Sequence, residues 1–496
     1  MLLLQLNPRV PTSAFRQICE QIVKQIEDGV LRPGDRLPPT RVLARTIGVH
    51  RSTVVRAYEE IHALGYLESR SGGYTTVRRR PRPPSTTARE ATKETPLVDW
   101  RAAATRRALH VHELGMATAP RAGDGVIDFD RAAADPALAP SDDLRRCVRE
   151  VLLRGRGAAL DYADPAGWPP LREVISRRLR THGVKVGADE ILITSGAQQG
   201  LDLVLRMLVR EGERVIVEAP TYGAAHALLR LHGAKAVEIP VRDDGMDLEA
   251  LERAISRARP RLVYTMPTFH NPTGITTSQD HRERLLALCE RGRVPIVEDG
   301  FEEEMKYFGK AVLPVKAIDA PGVVLYVGGF AKVVFPGLRV GWIAAPREAI
   351  AILTSIQHAS CLAGNTVAQA AMERFCRDGE FEAYLRRVHR VYRRRMQLLL
   401  QSLDDHVPPS VTWTRPAGGY TVWLTLPWTF DREAACVDHL ARAGVKVAAG
   451  RRFFARPPRH AHIRLSIACV GEDQIQEGCR RLGRILEPML VSNVES

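Results

Sequence analysis

Beyond about residue 97, short apolar runs alternate with stretches of helical spacing, and this alternation constrains the fold more than any other feature of the chain. The runs are Ile191-Leu-Ile-Thr, Arg214-Val-Ile-Val, Lys235-Ala-Val-Glu-Ile, Leu262-Val-Tyr, Pro295-Ile-Val, Val323-Val-Leu-Tyr-Val and Val340-Gly-Trp-Ile, and the segments 198–209, 248–257 and 278–291 lie between them. Strands joined by helical crossovers run parallel, and strands apolar along their whole length are buried on both faces. The expected class is α/β, a mostly parallel sheet with helices on both faces. Ligands of such sheets gather at the carboxyl ends of the strands.

The N-terminal part follows a different pattern. Phe15, Ile18, Ile22 and Ile26 give segment 11–28 one apolar helical face, closed by Gly29. A second helix is expected from Pro39 and Thr40 to Ile47, where Gly48 breaks it. Segment 52–64 then carries Val54, Ala57, Tyr58 and Ile61 on one face, with Arg51, Ser52, Val55, Arg56 and Glu59 on or near the other. Two short helices joined by a glycine-containing turn have helix-turn-helix spacing, in which the second helix enters the major groove by its N-terminal end. Periodicity alone equally allows an ordinary helical hairpin. Arg51 can fork onto a guanine edge or a phosphate, and Ser52 and Thr53 can donate to either. Segment 66–77 reads as two short strands around Gly72-Gly73, a wing.

Charge agrees with that placement. Lys and Arg number 71 against 57 Asp and Glu, a balance of +14. Residues 1–82 hold fourteen basic and seven acidic residues, so +7 of the surplus lies there, as a polyanionic partner requires. Segment 78–96 is polar and Pro-rich, an extended connector whose arginines either track phosphates or are simply solvated. Met1-Leu-Leu-Leu has no basic flank of an export signal, and the most apolar stretch, 323–343, holds Lys332, Arg339 and four glycines. A cytoplasmic protein without a membrane span is expected. The eight cysteines show no CxxC pair and no metal-ligand spacing, so reduced thiols and no metal site are expected.

The strand ends carry the chemistry. Ser195-Gly196-Ala197-Gln198-Gln199 is a small-residue turn opening a helix, suited to a phosphate. Pro220-Thr221-Tyr222 presents a ring, Asn271-Pro272-Thr273-Gly274 an amide, and Val297-Glu298-Asp299 carboxylates. Phe330-Ala331-Lys332 sets a lysine in apolar surroundings, seven residues before Arg339. A partly desolvated lysine amine can form a Schiff base with an aldehyde, and a carboxylate can keep a pyridine nitrogen protonated.

Two resemblances give these words a context. "GDRLPPTRVLARTIGVHRSTVVRAYEEIHALGYLES" resembles the winged helix-turn-helix of the GntR superfamily along residues 11–77. The resemblance implies DNA contacts by Arg41, Arg51, Ser52, Thr53 and Gly73, helped by Arg36 and Arg56. The ordered words SGAQQ, PTY, NPTG, VED, FAK and LRVGW resemble the fold-type I pyridoxal phosphate (PLP) aminotransferases over about residues 125–485, a fold with a smaller α+β subdomain. By that resemblance Lys332 forms the internal aldimine, Asp299 partners the pyridine nitrogen, and Gly196, Ala197 and Arg339 hold the phosphate. Tyr222 stacks on the ring, Asn271 reaches its 3-oxygen, and Tyr162 reaches a phosphate in the neighbouring subunit. Arg464 in "HIRLSIA" clamps a substrate carboxylate.

Two departures stand out: Phe301 where a tyrosine is common, and Ala331 where a serine is usual. Each removes a hydroxyl near the cofactor, while Lys332 and Asp299 remain.

Together the halves resemble the MocR/GabR subfamily of transcription regulators. The expected layout is a DNA-binding domain at 11–79, a linker at 80–110 and a PLP-binding, dimerising effector domain at 111–490. The resemblance implies a homodimer on a double-stranded operator. An amine or amino acid would displace Lys332 in an external aldimine. The rival readings are a working aminotransferase with a DNA tether, and a DNA-binding protein whose second half is only a dimerisation scaffold.

Overall fold

The structure, a computed structural model, describes residues 2, 4–7, 10–70, 74–78, 98–113, 125–154, 157, 159–162 and 164–491. Its two compact units are Met1–Ala103 and Ala104–Ser496.

The first unit holds α1 (Ala14–Glu27), α2 (Thr40–Ile47), α3 (Arg51–Ala63), β1 (Leu67–Arg70) and β2 (Tyr74–Val77). The apolar stripes of α1 and α3 meet, so Ile18, Ile22, Val54, Ala57 and Ile61 are fully buried, and α2 adds Leu43 and Ala44. Gly48 turns the chain from α2 into α3 with a φ of 70°, a left-handed conformation that glycine adopts without steric cost. β1 and β2 form an antiparallel hairpin with Leu67 opposite Val77, and Arg36 bridges to Thr76 at its edge. The wing turn with Gly72 and Gly73, and the connector at 79–97, lie outside the described residues.

Part of the expected linker is helical instead. Trp100–Ala103 and Arg106–Glu113 are short helices in an Ala- and Arg-rich stretch of good helix formers, and Arg107 forms an ion pair with Glu211.

The second unit is built on an eight-stranded sheet. Its order is Ile191–Thr194, Gly341–Ala344, Val324–Gly329, Ile296–Asp299, Leu262–Thr265, Arg214–Ala219, Lys235–Arg242, Gly245–Met246. The pairings from Val324–Gly329 through to Lys235–Arg242 are parallel. Gly341–Ala344 runs antiparallel to both its neighbours, as does the short edge strand to its one. Every residue of Ile191–Thr194, Leu262–Thr265 and Ile296–Asp299 is buried, which is why these runs read as unbroken apolar words.

A smaller antiparallel sheet orders Thr412–Trp413, Thr421–Thr429, His460–Ser466 and Ala448–Ala449. The long helix Glu380–His406 and the helix Glu472–Val491 pack together beside it. Ile127–Asp128 pairs parallel with Val445–Lys446 and carries the start of the second unit to this subdomain. No helix among the described residues is long and apolar enough to cross a membrane.

Because the small unit's core is its own, Ile22→Ala should cost it about 2–5 kcal/mol. In scanning calorimetry the transition of the small unit should fall while that of the large unit stays in place.

Candidate functional site

Parallel pairing gathers the chemical words at one edge of the sheet. Val327 lies opposite Asp299, Thr265 opposite Glu298 and Val217 opposite Tyr264, so the strands end together, one of them on Asp299, and hand over to the turns that bear Lys332, Asn271 and Tyr222.

Asp299 is the buried anchor. Its Oδ2 accepts a hydrogen bond from the Tyr264 hydroxyl at 2.8 Å. Its Oδ1 is buried with no hydrogen-bond partner among the described residues. Burial pushes its carboxyl up to about 6, against the pull of Tyr264, of the Phe301 backbone amide and of the nearby Lys332. A buried acceptor without a donor fits a protonated ring nitrogen.

The small-residue turn forms a close cradle. Gly196 has a φ of 96° and caps the helix Ala197–Leu208, whose first amides have no acceptor within the helix. A Cβ on Gly341 would stand 2.7 Å from the Gly196 backbone and 2.9 Å from the Ala197 nitrogen, so only glycine permits this approach. Arg339 lies over the same turn and donates to the Ser195 carbonyl. Amides at a helix N-terminus beside a guanidinium fit a phosphate. These residues therefore fit pyridoxal phosphate.

Tyr222 caps the next helix, Gly223–Leu231, and the amide before it, of Thr221, donates to the Phe453 carbonyl at 2.8 Å. Asn271 is buried, and its Oδ1 accepts from Arg464 Nη1 at 3.1 Å. Glu218 secures that loop by accepting from Thr265 Oγ1 at 2.7 Å and the Met266 amide at 3.0 Å, with His270 3.3 Å away.

Lys332 is partly buried, and its amine end is not in apolar surroundings, which corrects the expectation from FAK and its neighbours. The Nζ donates to the Ala132 carbonyl, and Glu302, Asp299 and Arg464 act on it. Burial still holds the amine below its ordinary value. Arg464 is buried on the strand His460–Ser466, directly opposite Trp423, with its guanidinium 5.1 Å from the Phe453 ring centre. It also donates to the Asp130 carbonyl, and burial lowers it to about 10.

Tyr162 is not gathered in; it is 80% exposed. Phe301 is buried in the same hydrophobic core cluster as Tyr264 and Met266. Tyr264, Asp130, Ala132, Glu302 and Gly341 were not singled out by the sequence. A tyrosine in Leu262-Val-Tyr looks like core, and only the register that sets it opposite Val297 turns its hydroxyl to Asp299. LRVGW did contain Gly341, but its role needs the Gly196 backbone to be placed beside it.

In the small unit, Arg51, Ser52 and Thr53 form the first turn of α3. Arg51 and Ser52 are exposed, and His50 caps the helix by accepting from the Ser52 amide at 3.4 Å. Arg36 and Arg41 are exposed, with Arg36 over the Tyr74 ring at 4.7 Å. Arg56 stacks over Phe15 at 4.6 Å, so part of its side chain serves packing. Gly73 lies outside the described residues.

Asp299 has a folded value above its unfolded one, so its protonation favours folding. That contribution is complete below pH of about 4 and is lost as pH rises through about 6. Without cofactor, Asp299→Asn should therefore be more stable than the parent above pH 6, by roughly 1–3 kcal/mol, and the gap should close toward pH 4. Urea midpoints across that range check it; a gap independent of pH would refute the assignment.

Comparison with known proteins agrees with both units. The gntR family of bacterial regulatory proteins matches residues 15–77, and the aminotransferase class I and II family matches residues 135–482. Among full-length relatives, the HTH-type transcriptional regulator TauR of Rhodobacter capsulatus is 32% identical over 97% of this chain and 98% of its own. The probable rhizopine catabolism regulatory protein MocR of Rhizobium meliloti is 32% identical over 97% of this chain and 95% of its own. Among solved structures, the α-aminoadipate aminotransferase LysN of Thermus thermophilus, complexed with N-(5'-phosphopyridoxyl)-L-leucine, superimposes with a TM-score of 0.72. It is 32% identical, and the match covers 79% of this chain and all of that one. With a gntR-type reader ahead of an aminotransferase class I and II unit, and full-length likeness to such regulators, the chain belongs to the MocR-type family of transcription regulators.

Proposed function

We propose that this regulator binds PLP in its second unit and senses a small amine or amino acid at Lys332, and that this controls how a homodimer holds its operator. The carrying observation is the buried, partnerless Oδ1 of Asp299 in the same electrostatic neighbourhood as the Lys332 amine, in a chain that also bears an exposed helix-turn-helix N-terminus.

Each residue has a part that its position supports. Gly196 and Ala197 amides with Arg339 would hold the phosphate, Asp299 would keep the ring nitrogen protonated, Tyr222 would lie against the ring and Asn271 would meet its 3-oxygen. When bound, PLP supplies an electrophilic aldehyde carbon to which primary amines add reversibly. Burial of Lys332 favours the uncharged amine, which is the nucleophilic form. Arg464 would receive an effector carboxylate in bidentate fashion. Tyr162, 80% exposed in a single chain, suits a role in a second copy's site, which favours a dimer. The effector shifts the regulator only so far as it binds one arrangement better than the other.

On DNA, the first turn of α3 would enter the major groove with Arg51, Ser52 and Thr53. Arg36, Arg41, Arg56 and Gly73 would add contacts beside it.

A working aminotransferase is the second reading, favoured by the retained Lys332 and Asp299. Multiple-turnover transamination decides between them, because a sensor sustains none at ordinary enzyme rates whether or not Arg51→Ala has abolished DNA binding. Lys332→Ala should abolish the visible absorbance that PLP acquires on binding before any amine is added; absorbance that survives would overturn the assignment of Lys332. Arg51→Ala should cost about 1–3 kcal/mol on the preferred operator and relax specificity there if the contact is bidentate to guanine. Equal loss on all sequences would place Arg51 on phosphate instead.

A further inference from the structure

One short segment already occupies the groups that would meet an amino-acid effector. Ile127–Asp128 is paired to Val445–Lys446, the Phe129 amide donates to the Lys446 carbonyl at 2.8 Å, and the Ser466 amide donates to the Phe129 carbonyl at 2.9 Å. These bonds fix Asp130 beside the strand that bears Arg464. Its carboxylate oxygens lie 2.9 and 3.0 Å from Arg452 Nη1, 3.8 Å from Lys446 Nζ and 3.7 Å from Arg464 Nη2. The Asp130 carbonyl accepts from Arg464, and two residues on the Ala132 carbonyl accepts from the Lys332 amine.

Three cations around one carboxylate make an anion site, and here the anion belongs to the chain. On its other sides Arg464 is held by Asn271 at 3.1 Å and by the Phe453 ring. Its Nε is buried without a partner among the described residues. A bidentate carboxylate takes Nη2 together with either Nη1 or Nε, and Nη2 is the nitrogen that faces Asp130, so that is where an incoming carboxylate must compete.

We propose that Asp130 is a specificity-determining residue of the effector pocket, an internal carboxylate that a carboxylate-bearing effector has to displace from Arg464. An amine without a carboxylate meets no such competitor. The proposal rests on reading this pocket as the effector site. It makes Asp130 a filter: an amino acid binds only when its contacts exceed those of the internal ion pairs, so small generic amino acids are disfavoured against ligands with further contacts.

The test uses a matched set of probes on the full-length chain. L-norvaline and n-butylamine, which differ by the carboxylate, are titrated into PLP-loaded protein by cofactor absorbance. Pentanoate, which has the carboxylate and no amine, is titrated into cofactor-free protein by isothermal titration calorimetry. Asp130→Asn, nearly isosteric, should bind L-norvaline and pentanoate about tenfold tighter and leave n-butylamine unchanged. Asp130→Glu should keep the parent's pattern, and Arg464→Ala should remove the gain. Asp130→Ser makes the same comparison should the asparagine variant fail to fold by circular dichroism. Equal shifts for L-norvaline and n-butylamine, or no shift for L-norvaline or pentanoate, overturn the proposal and leave the effector site standing. A parent protein whose absorbance ignores both amines overturns the effector-site reading, and the proposal with it.

Discussion

The second unit depends on the parallel register of its central strands. Ile296–Asp299 is hydrogen-bonded between Leu262–Thr265 and Val324–Gly329 and buried along its whole length, so its final carboxylate is largely withdrawn from water. An ionised side chain there is costly unless something meets it. Tyr264 meets one oxygen, and the other has no hydrogen-bond partner among the described residues. The same register brings the turns after four other strands to the same edge, which is how residues scattered from Gly196 to Arg339 share one pocket.

Around that pocket, backbone groups do as much as side chains. The Gly196 and Gly341 main chains touch, the Thr221 amide ties the Tyr222 turn to Phe453, and the Ala132 and Asp130 carbonyls hold Lys332 and Arg464. Main-chain contacts leave almost no imprint on residue type except where a glycine is obligatory, so they are hard to read in advance. This is why the strand-end words were legible and their partners were not.

In the small unit the physics is simpler. Its helices are amphipathic and close in sequence, so the stripe of Ile18 and Ile22 and that of Val54, Ala57 and Ile61 bury in one core, to which Leu43, Leu67 and Val77 also contribute. Gly48 marks the turn as plainly in the sequence as in the structure. Arg56 is exposed, as its spacing implied, and the structure adds that its guanidinium lies over the Phe15 ring, a contact no spacing rule shows.

The sequence by itself determined the strand and helix pattern, the amphipathic reader helix and the order of the words that carry Lys332, Asp299 and Arg339, because periodicity and short motifs are local. The tertiary structure alone decided which groups meet. It put Tyr264 on Asp299 through strand register, made Gly341 part of the cradle by close approach, and seated Asp130 among Arg452, Lys446 and Arg464. Asp130 is separated from those cations by more than three hundred residues of chain, and no spacing rule spans such a distance; only the pairing of Ile127–Asp128 with Val445–Lys446 brings it there.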